Sequence, residues 1–262
     1  MDRITSLQNP HIKNLILLQQ KSRERRAQNV AVVEGLRETG IAISSGYTLK
    51  EAYYCPEVAD IDLSVIPSAV RITEISRPVF EKLAYREGSD GFIALIEPLN
   101  LKLKEIKLRR NPLVVILESV EKPGNLGAIL RTADAVNADA VIICDPLTDI
   151  YNPNVIRSSI GCVFSRQVAA CTTEEAQQWL KEKKITSYAA ELKASAEYHK
   201  FDFKDSTAFV MGTEADGLTK KWINFCDHRV IIPMLGSIDS LNVSVSTAVL
   251  LFEAMRQREF KL

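Results

Sequence analysis

Three short stretches of the 262-residue chain hold the residue types that could do chemistry. The first runs from Glu118 through Gly124, Asn125 and Gly127 to Arg131. Its glycines permit close backbone approach, and Asn125 is placed as a helix N-cap. Arg131 projects from the early helix, opposite Ile129 and Ala133. An arginine there offers a permanent cation to a phosphate or a developing oxyanion. A capped helix with a surface arginine is the plain alternative. The second stretch, Met211–Thr219, contains Gly212, Glu214 and Gly217. It approaches the P-loop pattern GxxxxGK[ST], but Leu218 stands where the phosphate-binding lysine belongs. No GxGxxG occurs, so a dinucleotide site of the usual kind is not expected either. What remains is a strand-to-turn loop carrying Glu214 to a pocket, or a simple glycine turn. The third stretch, Ile231–Ser244, contains Ile232, Ser240, Leu241 and Asn242. Ser240 and Asn242 suit helix capping, and free backbone N–H groups there would suit an anion such as a carboxylate.

These loops need a scaffold, and the flanking residues describe one. Leu113–Leu117, Ala140–Cys144, Ser187–Ala190, Ala208–Met211 and Val230–Pro233 read as short strands. Gly127–Val136, Glu174–Lys184 and a last stretch from about Ser240 to Arg258 read as helices. Apolar strands alternating with helices predict a parallel sheet covered on both faces, with ligands at the C-terminal strand ends. Leu241, Val245, Ala248, Phe252 and Met255 form a stripe on the last helix. Packing against the sheet accounts for it, and sharing with a second subunit is the alternative. The first hundred residues show smaller α/β alternation. Pro10–Gln28, a stretch after Glu34-Gly35 to about Ser44, and Arg77–Tyr85 look helical; Val30–Val33, Glu51–Tyr54, Arg71–Ile75 and Gly91–Glu97 look like strands. The division is residues 1–100, a basic linker 101–112, and residues 113–262.

The net charge is zero, 33 basic against 33 acidic residues, which argues against a uniformly basic nucleic-acid binder. The distribution is uneven. Residues 1–110 carry 17 Lys+Arg and 14 Asp+Glu, and the remainder is correspondingly acidic. Two clusters stand out: Lys21, Arg23, Arg25, Arg26 and Arg37, then Lys107, Arg109 and Arg110 with Lys102 and Lys104. They are either solvated faces or phosphate-contacting patches. Five cysteines without CxxC spacing read as reduced, structural thiols of a cytoplasmic protein. Three histidines show no ligand or triad pattern, so no metal is expected. No apolar run reaches membrane-spanning length, and Met1–Lys13 lacks the apolar core of a signal peptide.

Taken together, the three loops resemble the SpoU (TrmH-type) family of RNA 2′-O-ribose methyltransferases, in the SPOUT superfamily. The matching words are Asn125–Arg131 with Thr132-Ala133, then Gly212–Gly217, then Ile232–Gly236 with Ser240–Ser244. Ser6–Lys13, Arg23–Arg26 and Val33–Arg37 are similar to that family's L30e-like substrate-binding domain. The resemblance implies an α/β fold whose parallel-sheet domain is tied in a deep trefoil knot. General topology rules would exclude the knot, so it is expected from the family alone. It also implies a homodimer through the C-terminal domain and S-adenosylmethionine held by Gly212, Ile232 and Leu241. The substrate would be RNA, ribosomal rather than transfer. Arg131 would activate the ribose, Asn125 would position it, Glu214 would orient the arginine, and Ser240 and Asn242 would shape the pocket. A non-catalytic RNA-binding relative and an enzyme methylating a base nitrogen are the rivals.

Overall fold

The computed structural model describes residues 3–85, 88–194, 196–213 and 215–261. In chain order the first elements are β1 (Arg3–Ile4), α1 (Pro10–Gln20), α2 (Ser22–Gln28), β2 (Ala31–Glu34) and α3 (Leu36–Ser44). Then come β3 (Leu49–Tyr54), β4 (Arg71–Ile75), α4 (Arg77–Leu83) and β5 (Phe92–Ile96). The second half runs β6 (Leu113–Glu118), α5 (Pro123–Ala135), β7 (Ala140–Cys144), α6 (Pro153–Ser158), α7 (Cys162–Ser165) and β8 (Val168–Cys171). It ends with α8 (Thr173–Lys183), β9 (Thr186–Ala190), β10 (Thr207–Met211), α9 (Lys220–Phe225), β11 (His228–Val230) and α10 (Val243–Gln257). Among the described residues no helix is long and apolar enough to cross a membrane.

The chain divides into two compact units. One holds the residues up to Leu99 together with Asp149–Ser165; the other holds Asn100–Thr148 and Arg166–Leu262. This departs from the sequence-based boundaries in two ways. Asp149–Ser165 joins the first unit, although it lies within the second half of the chain. Residues 101–112 are not a free linker. Ile106 is buried in the second core, Leu101, Leu103 and Leu108 pack beside it, and Leu101 bridges Ala169. Apolar residues interleaved with the lysines turn inward while the lysines stay exposed.

The first unit is a five-stranded sheet in the order β1-β4-β3-β5-β2. β1, β4 and β3 run parallel, while β5 runs antiparallel to β3 and β2. Ile12, Leu15 and Leu18 of α1 pack with Val32, Tyr53, Ile75, Phe80 and Ile93. The expected single helix Pro10–Gln28 is broken at Lys21, whose backbone is extended. The break leaves carbonyls at the end of α1, and Arg25 satisfies one: its Nη1 donates to Leu18 O at 2.6 Å. Nε and Nη2 of Arg25 both donate to Asp149 Oδ2, at 2.9 and 2.5 Å. Arg25 is only 3% exposed, so this cation is a clamp for residues 149–165 and is withdrawn from any phosphate-contacting patch. Tyr47 and Tyr151 add a hydroxyl contact of 3.2 Å to the same seam.

The second unit is a six-stranded sheet, all parallel, in the order β11-β9-β10-β6-β7-β8. Val114, Val115 and Ile116 are fully buried, as expected of a strand covered on both faces. Strand β8 and the short helices α6, α7 and α9 carry patterns too brief for the sequence to declare. Arg109 donates from Nε and Nη2 to Asp139 at 3.0 and 2.8 Å. Burial pushes the Asp139 carboxyl up, but hydrogen bonds from Arg109 and from the Leu113 N–H outweigh it and leave the group below its ordinary value. Arg109 is therefore also a structural cation rather than a free contact for RNA. The last helix starts at Val243, not Ser240, and its buried residues are Thr247, Leu250, Leu251, Ala254 and Met255. Of the expected stripe only Met255 is buried. Val245 and Phe252 are each 47% exposed, so core packing does not account for the stripe.

Arg25→Ala strips the charge partner from a largely buried carboxylate, a change that costs roughly 3–5 kcal/mol. Urea unfolding is expected to show a loss of about 3 kcal/mol, whereas exposed Arg26→Ala stays within about 0.5 kcal/mol. Equal stability of the two variants would contradict the clamp.

Candidate functional site

Every strand of the second sheet points the same way, so the loops after β6, β10 and β11 leave from one edge. β6 and β10 are neighbours, and chain order departs from them in opposite directions, to β7 and β8 on one side and β9 and β11 on the other. Such a reversal point opens a crevice at the C-terminal strand ends. Glu118 ends β6 at that point and is 4% exposed. Its Oε2 accepts from the Thr219 N–H at 2.8 Å and its Oε1 from the Thr219 hydroxyl at 2.7 Å. The carboxylate thus fastens the far end of the 212–219 loop to the neighbouring strand. No motif marks Glu118; its only signal in the sequence is a carboxylate ending an apolar strand.

Within that loop, Thr213 and Gly217 pair as an antiparallel bridge, N–H to O at 3.0 and 3.1 Å. Gly217 has φ +69, and a Cβ on Gly212 would lie 2.1 Å from the Gly217 carbonyl carbon. Gly212 is therefore demanded by close backbone approach. Glu214 lies outside the described residues. Leu218 is buried beside Trp222, a core role that agrees with the mismatch to a P-loop.

The α5 helix begins earlier than its apolar pattern suggested. Pro123 takes the first position and Lys122 precedes it as the cap, so Asn125 sits inside the first turn and is not the N-cap. Proline favours that opening position because its φ is preset and it has no N–H to satisfy. Leu126, Gly127, Ile129, Leu130 and Ala133 face the core, leaving Arg131 exposed. Among the described residues no ion pair or hydrogen bond engages the Arg131 guanidinium.

Strand β11 ends at Val230, and Ile232–Leu241 is irregular rather than strand. Among the described residues, the backbone N–H and C=O groups of 232–241 make no backbone hydrogen bond. Asn242 is the cap of α10: its Oδ1 accepts from Ser244 N–H at 2.9 Å and from the Ser244 hydroxyl at 2.7 Å. Ser240 is not a cap and instead donates to Asp239 at 3.1 Å. The Asn242 amide donates to Asn125 Oδ1 at 3.2 Å, joining the starts of α5 and α10. So Asn125 and Asn242 meet directly. Gly212, Ile232, Ser240 and Leu241 share the loop edge, and Arg131 lies further along α5. Of the basic residues, Lys21, Arg23, Arg26 and Arg37 are exposed on the first unit, and Lys107 and Arg110 on the second.

Comparison with known proteins matches each half of the chain separately. The sequence pattern of the SpoU rRNA Methylase family matches residues 112–252. That of the MRM3-like substrate binding domain matches residues 9–94. A Streptomyces viridochromogenes 23S rRNA (uridine(2479)-2′-O)-methyltransferase is 29% identical, over 92% of this chain and 88% of its own. A crystal structure of an RNA 2′-O ribose methyltransferase superposes with a TM-score of 0.87 at 37% identity, covering 98% of this chain and 99% of that one. The AdoMet-bound rRNA methyltransferase of Sinorhizobium meliloti gives 0.89 at 28% identity, with 97% of both chains covered.

Gly212→Ala forces a methyl group into the Gly217 backbone, and overpacking of this kind costs about 1–3 kcal/mol. At Gly124 nothing lies within 4 Å of a built Cβ and φ is ordinary. Thermal unfolding should therefore separate the two alanine variants, with Gly212→Ala lowered and Gly124→Ala unchanged or raised. A neutral Gly212→Ala would show that the loop does not close as described.

Proposed function

The chain belongs to the SpoU rRNA Methylase family, and on that premise we propose that it methylates the 2′-hydroxyl of a ribose in RNA, using S-adenosylmethionine. The substrate we infer is ribosomal RNA of the large subunit, 23S, rather than transfer RNA. The relative named above acts on 23S rRNA, and the first unit matches a substrate-binding domain. The carrying observation is the single edge at which three loops of a parallel sheet meet, with Asn125 and Asn242 bonded across it.

The donor fits this edge. Residues 232–241 present backbone donors and acceptors, which recognise a polar heterocycle and an amino-acid moiety without charged side chains. Gly212, Ile232 and Leu241 would hold it, within a chain path that we assign to the trefoil knot of the superfamily. Bound there, S-adenosylmethionine would supply an electrophilic methyl group to the ribose oxygen and leave as a neutral thioether, the hydroxyl proton passing to solvent water. What the protein must add is alignment and stabilisation of the oxygen as it loses its proton. A guanidinium is a poor base but a good charge partner, so the role assigned to Arg131 is to pair with the developing alkoxide and the adjacent phosphate. Asn242, which both caps α10 and holds Asn125, is a positioning residue for the start of α5. Glu214 is assigned to orienting the arginine, and Ser240 to the rim of the pocket.

The same reading makes the protein a homodimer. Leu235 is 99% exposed, and Ile238, Val245 and Phe252 are also exposed, on the loop and helix beside the site. A second copy of this chain would cover apolar groups that its own core leaves uncovered. The cysteines Cys55, Cys144, Cys162, Cys171 and Cys226 are all free thiols, which fits a cytoplasmic protein.

Arg131→Ala is expected to reduce methyl transfer by about 10²–10³-fold. Its affinity for S-adenosylmethionine, read by isothermal titration, should stay within about threefold of the parent's. Arg131→Lys should fail as well, because a point charge does not reproduce the planar fork. Parallel loss of donor binding and activity would sink the assignment. For the dimer, Val245→Asp with Phe252→Asp should sediment as a monomer in analytical ultracentrifugation; an unchanged dimer would place the interface elsewhere.

A further inference from the structure

Tyr85 and Arg157 come from different halves of the chain and meet on the first unit. Tyr85 follows α4 and is 53% exposed. Arg157, on α6, is exposed, and its guanidinium carbon lies 5.7 Å from the centre of that ring. Both groups are held from behind. The Tyr85 N–H donates to Glu34 Oε2 at 2.8 Å, at the end of β2. Arg157 Nη2 donates to Asn154 Oδ1 at 3.1 Å.

The frame is rigid as well. The segment carrying Arg157 is tied down by the Arg25–Asp149 pair and the Tyr47–Tyr151 contact. At Gly161, with φ +79, a Cβ would lie 3.3 Å from Glu38 Cα and 3.2 Å from Ile41 Cδ1, so the chain is pressed onto α3. An exposed aromatic ring held by its backbone, with a planar cation against it, is more than packing requires. Arg37 stands exposed in the first turn of α3, just after Glu34.

We propose that Tyr85 and Arg157 form a stacking platform for an unpaired nucleobase of the RNA substrate. The inference rests on the RNA reading above and names a recognition element within it. Single-stranded bases are bound by stacking on aromatic rings and guanidinium planes, since every base has a π-face. The pair has the chemistry for it: a large flat surface, a positive charge for the neighbouring phosphate and little conformational freedom to lose. The exposed cations Arg23, Arg26 and Arg37 on the same unit favour a polyanion over a protein partner.

The test uses the full-length protein and unmodified, in-vitro transcribed 23S rRNA, with affinity measured by filter binding at several salt concentrations. Tyr85→Ala should weaken binding about 5- to 100-fold, the range of one lost base stack. The salt slope should not change, because stacking releases no counterions. Arg37→Ala, in contrast, should flatten the slope by about one unit. Tyr85→Phe keeps the ring and should restore affinity to within about threefold. The double variant Tyr85→Ala with Arg157→Ala should be no worse than the product of the singles, and less if the pair acts as one unit. Wild-type affinity in Tyr85→Ala would overturn the platform, as would a loss that Tyr85→Phe does not rescue. If the parent protein neither binds nor methylates the transcript while still binding S-adenosylmethionine, the 23S reading fails first and the platform falls with it.

Discussion

Glu118 is a buried carboxylate bonded at both oxygens by Thr219, at the pair of parallel strands from which the chain order departs in opposite directions. Leaving such a group unbonded in the interior would cost several kcal/mol, so the contact fixes the loop it holds. From that constraint the remaining geometry follows. The 212–219 loop can close only if Gly217 returns against Gly212, and the absence of a Cβ at Gly212 permits it. The next helix then leads into β11, whose loop returns over the same edge to Asn242. Asn242 fastens that return to α5. A side-chain clasp, a glycine contact and an amide pair thus assemble one site from three separated segments.

The cations divide by the same physics. Arg25 and Arg109 each meet a carboxylate in partly buried surroundings and serve the fold. Lys21, Arg23, Arg26 and Arg37 remain in solvent on the first unit. A count of charges treats all of these as equivalent. Burial separates a clamp from a surface that a phosphate backbone can reach, and it also shows why zero net charge is compatible with an RNA substrate.

Much of this is legible in the sequence. The apolar runs Leu113–Leu117 and Ala140–Cys144 lie inside β6 and β7, because doubly covered strands need no alternation. The three loops were recognisable from local words. What the sequence hid was long-range. Asn125 looked like a cap because the apolar period starts after it, yet Pro123 opens the helix. The stripe on α10 was regular but pointed away from the core, since helical periodicity identifies a face and not what covers it. Helix α6 joins the first unit through long-range contacts, Arg25 with Asp149, Tyr47 with Tyr151 and α3 with Gly161, that no local pattern encodes.

The central claim is methyl transfer to a ribose oxygen, and its direct test exploits alkali. Hydrolysis of RNA by base requires a free 2′-hydroxyl, so a 2′-O-methylated residue survives as an uncleaved dinucleotide. The protein is incubated with S-adenosylmethionine labelled in the methyl group and unmodified 23S rRNA, and the RNA is digested with alkali. The account predicts that the label is recovered in alkali-resistant dinucleotides from a single site. Label in mononucleotides would mean methylation of a base and would contradict it.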